Sequence, residues 1–296
     1  MATIVFFDNV LVSIVIGLGD LYIAVSRRRD SRGCGRNPRS IGIRKKFVSF
    51  VRKYTAMAVS FLVSVRTLAC AVALSCAVIG VARAENTVVV ELYTSQGCSS
   101  CPAADRLLTE LRNTPGVLPL TLNVDYWDYL GWKDDLALPG NSKRQRAYAR
   151  IMRSRNVYTP QMMFDGKMDV IGSRKRDVMA AINAYIAEPD PVSVSVVAMG
   201  NGVFQVQAPA TALTDQAVIW VVGYDRDVTK AIDGGENHGR TITYSNVVRE
   251  WHDAGRWSGA APLNLSVTRP AGEGGVAIIV QQGKVGPILG AAQITY

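Results

Sequence analysis

Along residues 87–187 the apolar positions switch between two periods, and each switch marks an element. Thr87–Tyr93 is β-branched and apolar, the composition of a buried strand. Pro102–Arg112 follows, with leucines at 107, 108 and 111 in helical spacing. Its proline falls in the first turn, where a missing N–H costs nothing. Asn113-Thr114-Pro115-Gly116 breaks the helix, and Val117–Val124 is the next strand. A polar, aromatic insert leads to a helix over Ser142–Arg155, capped by Ser142. Met162–Asp165 and Met168–Ile171 form a hairpin about Asp165-Gly166. Arg174–Ala187 is a helix with Val178, Ala181, Ile182 and Tyr185 along one stripe.

Glu188-Pro189-Asp190-Pro191 is stiff and cannot continue that helix, so it reads as a linker. Beyond it the pattern is of strands alone. Val192–Ala198 and Val203–Gln207 flank Asn201-Gly202, and Ala217–Tyr224, Arg240–Val248, Leu263–Thr268 and Gly275–Gln281 are extended. The expectation is an α/β chain, with a β-α-β-α-β-β-α domain over residues 85–190 and an antiparallel β subdomain over 191–296 packed on it.

The ends change the meaning of the charge. The formal net charge is +9, yet residues 1–84 hold 13 Lys and Arg against 3 acids, and residues 85–296 hold 20 against 21. The basicity belongs to the leader and implies no nucleic-acid partner. Residues 57–84 read as a secretory signal: Arg66 supplies charge, Leu68–Val81 is an apolar core and Ala82-Arg83-Ala84 fits small-x-small cleavage. Cys70 and Cys76 would leave with it, and contact with a membrane comes only through this leader if it is uncleaved. In residues 1–56, Val10–Val25 is apolar apart from Asp20, and Arg27–Lys46 is rich in Arg, Gly and Ser with Cys34. This part is a membrane segment with a positive loop, or translation from upstream of a true start at Met57; Met57 alone gives a signal of ordinary length. The expected location is periplasmic or secreted.

The 212 residues from Glu85 keep two cysteines, Cys98 and Cys101, between the first strand and the first helix. Two residues apart, they close too short a loop to staple the fold by chain entropy. Near a helix N-terminus, unpaired N–H groups stabilise a thiolate. Cys98, first and more exposed, is the expected nucleophile, Cys101 the resolving thiol, and Ser99 and Ser100 the hydroxyl donors to the Cys98 thiolate. Thr159-Pro160 precedes the hairpin, the place where thioredoxin-like folds set a cis proline facing the cysteine pair and offer the preceding backbone to substrate. Glu91, in an apolar strand, is a buried proton acceptor for Cys101 or points to solvent at the sheet edge. Trp127 and Trp132, with Tyr126 and Tyr129, form an aromatic rim that grips peptide or shields the disulfide, or else a satellite core.

The string Val90–Asp105 resembles the signature of the bacterial secreted family called domain of unknown function 1223. So do Asn123–Asp134, Arg144–Tyr148, Val157–Gln161, Gly235-Glu236-Asn237, Thr241–Tyr244 and Asn246–Arg249. The chain departs from that pattern at Asn123 and Ser245, where the family often has histidine. The resemblance implies a thioredoxin-like fold in an exported protein. The expected function is thiol–disulfide exchange with protein or small thiol substrates and a redox partner, using no cofactor and no metal. The alternatives are a zinc site on Cys98, Cys101, His238 and His252, and a non-catalytic interaction module.

Overall fold

The computed structural model describes residues 2–7, 10–16 and 21–27 and residues 86–296. The expectations for the signal at 57–84, for Cys34, Cys70 and Cys76 and for a start at Met57 lie outside the described residues. The first unit carries a three-stranded antiparallel sheet, β1 (Ala2–Phe7), β2 (Val10–Ile16) and β3 (Leu21–Arg27), where one continuous apolar segment was expected. Among the described residues no helix is long and apolar enough to cross a membrane.

The second unit opens with β4 (Val88–Thr94), α1 (Pro102–Leu111) and β5 (Val117–Asn123), close to the expected bounds. Helix α2 (Pro139–Ile151) starts earlier than expected, with Pro139 in its first turn, while Ser142 is inside it and bonds Asp125 instead of capping. Next come β6 (Gln161–Phe164), β7 (Met168–Ile171) and α3 (Lys175–Ile186). The remainder is β8 (Ser195–Gly200), β9 (Val203–Ala208), β10 (Ala217–Ile232), β11 (Arg240–Trp257), β12 (Leu263–Thr268), β13 (Gly275–Gln282) and β14 (Ile288–Thr295).

These strands do not divide at residue 190. Eight of them form one mixed sheet, in the order β14-β13-β10-β11-β5-β4-β6-β7, and β12-β9-β8 form a second, smaller one. The join is the parallel pair β5–β11, at Thr121 and Val247. With eleven strands against three α-helices between residues 86 and 296, the protein is mostly β. It is not the expected thioredoxin-like α/β domain with an appended β subdomain. Periodicity reports which segments are extended; it says nothing of a pairing between strands 126 residues apart.

Alternation along β4 sorts the core. Val88, Val90 and Leu92 pack under α1 and α3 with Leu107, Leu108, Leu111, Val178 and Ile182. Val89 and Tyr93 face the other side with Leu118, Leu120, Leu122 and Tyr148. Each fully buried leucine of α1 is worth about 1.5–3 kcal/mol of transfer free energy. The small sheet covers β10 and β13 through Phe204, Val206, Val221, Ile278 and Val280.

The hairpin β10–β11 is far longer than its apolar stretches and carries an arm beyond the sheet. At Asn246, φ is +49° and the side chain bonds the carbonyl of Pro119, so the strand turns just before the join. The arm then runs back along α1. Near the helix C-terminus Ser245 meets Thr109 at 3.0 Å and Asp227 binds Arg112 at 2.6 Å. Leu136, Ile232, Ile242, Tyr244 and Val247 make a small core beneath it.

Candidate functional site

The chain leaves β4 at Thr94 and reaches α1 in one tight loop. Cys98 donates its N–H to the Ser95 carbonyl at 3.2 Å and Cys101 to the Cys98 carbonyl at 3.1 Å. Pro102 opens the helix, Cys101 is its N-cap, and the Cys101 carbonyl accepts from Ala104 and Asp105. Cys98 and Cys101 are joined as a disulfide. Ser99 and Ser100 are exposed, but the sulfur-bearing residues are not: Cys98 is 1% exposed and Cys101 0%. The expected contrast in exposure between the two cysteines is therefore slight. The Ser100 hydroxyl lies 3.4 Å from Cys98 Sγ, while the Ser99 N–H is taken by Glu236 Oε2 at 2.9 Å.

Glu236 belongs to the tip of the arm, a short 3-10 turn over Gly235–Asn237. Asn237 is fully buried there and its amide donates to the carbonyls of Gln96 at 2.9 Å and Cys98 at 2.8 Å. Gly235 has φ +67° and sits against Trp132 and the Gly97 Cα, so a side chain would be strained there by its backbone. The Ser99 N–H holds the Glu236 carboxyl below its ordinary range. Sequence reasoning gave Asn237 and Glu236 no role. The one signal was the Gly-Glu-Asn string itself, polar and glycine-led between two strands.

The aromatic insert meets the loop from the other side. Trp127 Cβ lies 3.2 Å from where a side chain on Gly97 would begin, and its indole N–H donates to the Thr159 hydroxyl at 2.8 Å. Trp132 donates to the Gln96 side chain at 2.7 Å. Trp127 thus connects the cysteine loop to Thr159, whose bond to the buried Pro160 is cis, as expected. Both indoles are half-buried, and Tyr129, 78% exposed, stacks on Trp127 at 6.4 Å. This is a rim partly in solvent.

A polar cluster lies below the pair. Thr94 ends β4 opposite Asn123 of β5, and its hydroxyl donates to Asp105 Oδ1 at 2.8 Å. Burial drives the Asp105 carboxyl up to about 8 against the Thr94 bond, with Asp134 adding to the rise and Arg106 opposing it. Asp134 is raised by burial although Gln96, Leu136 and Asn123 all donate to it. Tyr244 of the arm is raised by burial and by Asp105, Asp134 and Asp135. Three buried atoms here have no partner: Asp105 Oδ2, Asn123 Oδ1 and the Tyr244 hydroxyl.

Glu91 is elsewhere. It is buried, so it does not point to solvent, and it sits on the opposite face of β4 from Leu92 and Thr94. Arg144 Nη2 binds it at 2.6 Å and Tyr93 donates to it at 2.9 Å. Arg144 also donates to Tyr148, Gln281 and the Lys284 carbonyl and lies 4.2 Å from the Trp251 ring centroid. Burial lowers the affinity of Arg144 for its proton, but Glu91, Tyr148 and Tyr93 more than restore it. Glu91 is half of a structural ion pair and faces away from the disulfide. Among the described residues no three His, Cys, Asp or Glu side chains are placed to share a metal, so His238 and His252 do not complete a ligand set with the cysteines.

A mostly β chain with a disulfide at a strand–helix junction, clamped by a long hairpin arm, defines the class. Residues 89–281 match the family described as protein of unknown function (DUF1223), and the chain belongs to it. It is similar to the X-ray crystal structure of protein AGR_C_4864 from Agrobacterium tumefaciens. The identity is 30% and the TM-score 0.61, over 71% of this chain and 95% of that one. No curated protein matches the chain.

Proposed function

We propose that this chain is an exported thiol–disulfide exchange protein acting through Cys98 and Cys101. The observation that carries the proposal is the disulfide between them at the start of α1, with polar groups gathered on both sides of the loop. When the protein acts as oxidant a substrate thiolate attacks Cys98 Sγ, the Cys98–Cys101 bond breaks and Cys101 leaves with the electron pair. A second substrate thiol then attacks the mixed disulfide, forming the substrate disulfide and releasing Cys98. The substrate is thereby oxidised and the protein reduced; the reverse sequence reduces a substrate disulfide and re-forms Cys98–Cys101. Trp127, Trp132 and Thr159 border the loop and suit a peptide chain laid along it. The signal-like residues 57–84 and the nearly neutral remainder support a periplasmic or secreted location.

The burial of Cys98 favours a second reading, a static disulfide that fastens a loop of an interaction module. Dithiothreitol titration of the folded protein separates the two. Exchange predicts two titratable thiols gained without unfolding, Cys98 alkylated before Cys101 at neutral pH, and mixed disulfides trapped by Cys101→Ala. A disulfide that resists reduction until the protein unfolds would establish the static role.

A further inference from the structure

Glu91 faces away from the disulfide, which leaves the Cys101 proton without an evident carrier. Asp105 stands four residues after Cys101 on α1, and its N–H donates to the Cys101 carbonyl at 3.1 Å. Residues spaced this way share one helix face, and helical side chains lean toward the N-terminus. The carboxyl therefore lies over the turn that holds Cys101. One oxygen is fixed by Thr94; the other, Oδ2, is buried and unpartnered. An unpaired carboxyl oxygen in a protein interior costs stability, and such a cost marks a group kept for another reason.

We infer that Asp105 carries the proton of Cys101 during exchange, with the Tyr244 hydroxyl of the arm placed to steady its carboxylate. The inference rests on the exchange function proposed above. In the disulfide form Asp105 is a carboxylic acid. When an attacking thiolate takes Cys98 Sγ, Cys101 departs as a thiolate and receives the Asp105 proton, so Cys101 becomes a thiol and Asp105 a carboxylate. On reoxidation the carboxylate takes the proton back, and the Cys101 thiolate attacks Cys98 Sγ and expels the substrate thiolate. The Tyr244 hydroxyl is likewise buried without a partner and lies near enough to Asp105 to feel its charge. Facing Asp105 are Asp134 from the loop before α2, Tyr244 from the arm and Arg106 from its own helix. Asp134 destabilises the carboxylate and so favours return of the proton to Asp105.

The test is stopped-flow reduction of the oxidised protein by dithiothreitol across pH 6–10, with rates normalised to the reagent thiolate. Below pH ~8 wild type should be at least tenfold faster than Asp105→Asn, and its advantage should fall away above that pH as the acid ionises. Tyr244→Phe should shift the wild-type profile to higher pH. Equal normalised rates and equal profiles in wild type and Asp105→Asn would overturn the assignment. Should Asp105→Asn not fold, carboxyl carbon NMR of the wild type decides. The Asp105 midpoint must differ between the disulfide and dithiol forms, and one midpoint for both would overturn it equally. A disulfide that no thiol reduces in the native protein refutes exchange itself. Ready reduction with no difference at Asp105 refutes only the proton carrier.

Discussion

Asn237→Ala removes the two hydrogen bonds by which the arm tip holds the cysteine loop, at 2.9 Å to Gln96 and 2.8 Å to Cys98. A buried neutral hydrogen bond contributes about 1 kcal/mol net. The pair therefore holds the tip by about 2 kcal/mol, roughly 30-fold in the equilibrium between seated and lifted arm. Glu236 still binds the Ser99 N–H and the small core around Tyr244 is untouched, so the arm folds. With Cys98 1% exposed in the seated form, attack on its sulfur waits on lifting. Reduction by a water-soluble phosphine at pH 7, followed by labelling of the released thiols, should run roughly 30-fold faster in Asn237→Ala while the circular dichroism spectrum is retained. A rate within threefold of wild type would refute the reasoning, because the tip would not then be what guards Cys98.

Arg144→Met should destabilise the protein by about 3–5 kcal/mol in urea unfolding, since it strands the buried Glu91 carboxylate. Glu91→Leu added to it should recover most of that loss. Stability should fall between pH ~4 and ~8. Burial raises Asp105 to about 8 and Asp165 to about 7, so the native state holds protons that the unfolded chain has released, and that stabilisation is lost as pH rises through those values. At pH 8 Asp105→Asn should relieve up to about 5 kcal/mol of this penalty, and urea midpoints that stay flat or rise over the range would contradict it. Reduction should change tryptophan fluorescence through Trp127 and Trp132, and Trp127→Ala should slow reaction with a peptide disulfide more than with a small reagent. Equal slowing of both would make the rings packing alone.

The elements around the site were legible because their signals are local. Pro102, the leucines of α1 and Asp165-Gly166 each act within a few residues, and the observed α1 and β6–β7 fall within a residue of expectation. The arm was legible only by half. Arg240–Val248 was expected to be extended, but its partner Asp225–Lys230 is strongly polar, so the apolar alternation stops at Tyr224 where β10 continues. Beyond the join, polar Arg249–Arg256 hides the rest of β11 in the same way. Strand β14 was missed because Gly290-Ala291-Ala292 offers little apolar signal and leans on β13 for its pairing. Nor does any local pattern reveal that β5 and β11 share a sheet, the fact that displaced the two-domain expectation. In the site, Cys98, Cys101, Thr159 and the tryptophans were named from type and position. Asp105 and Asn237 entered only as members of the family-like strings and were given no role. Glu91 drew attention because a charge in an apolar strand is conspicuous, but its partner Arg144 lies 53 residues on.

Asn237 reaches the Cys98 carbonyl across 139 positions of chain, which sets an order of events during synthesis. The ribosome makes the cysteine pair long before it makes the residue that clasps the loop. For that interval the thiols belong to an emerging chain with no guard, open to whatever oxidant or thiol surrounds them. The guard is therefore acquired late, when the arm closes, and it locks in whatever redox state the pair has taken by then.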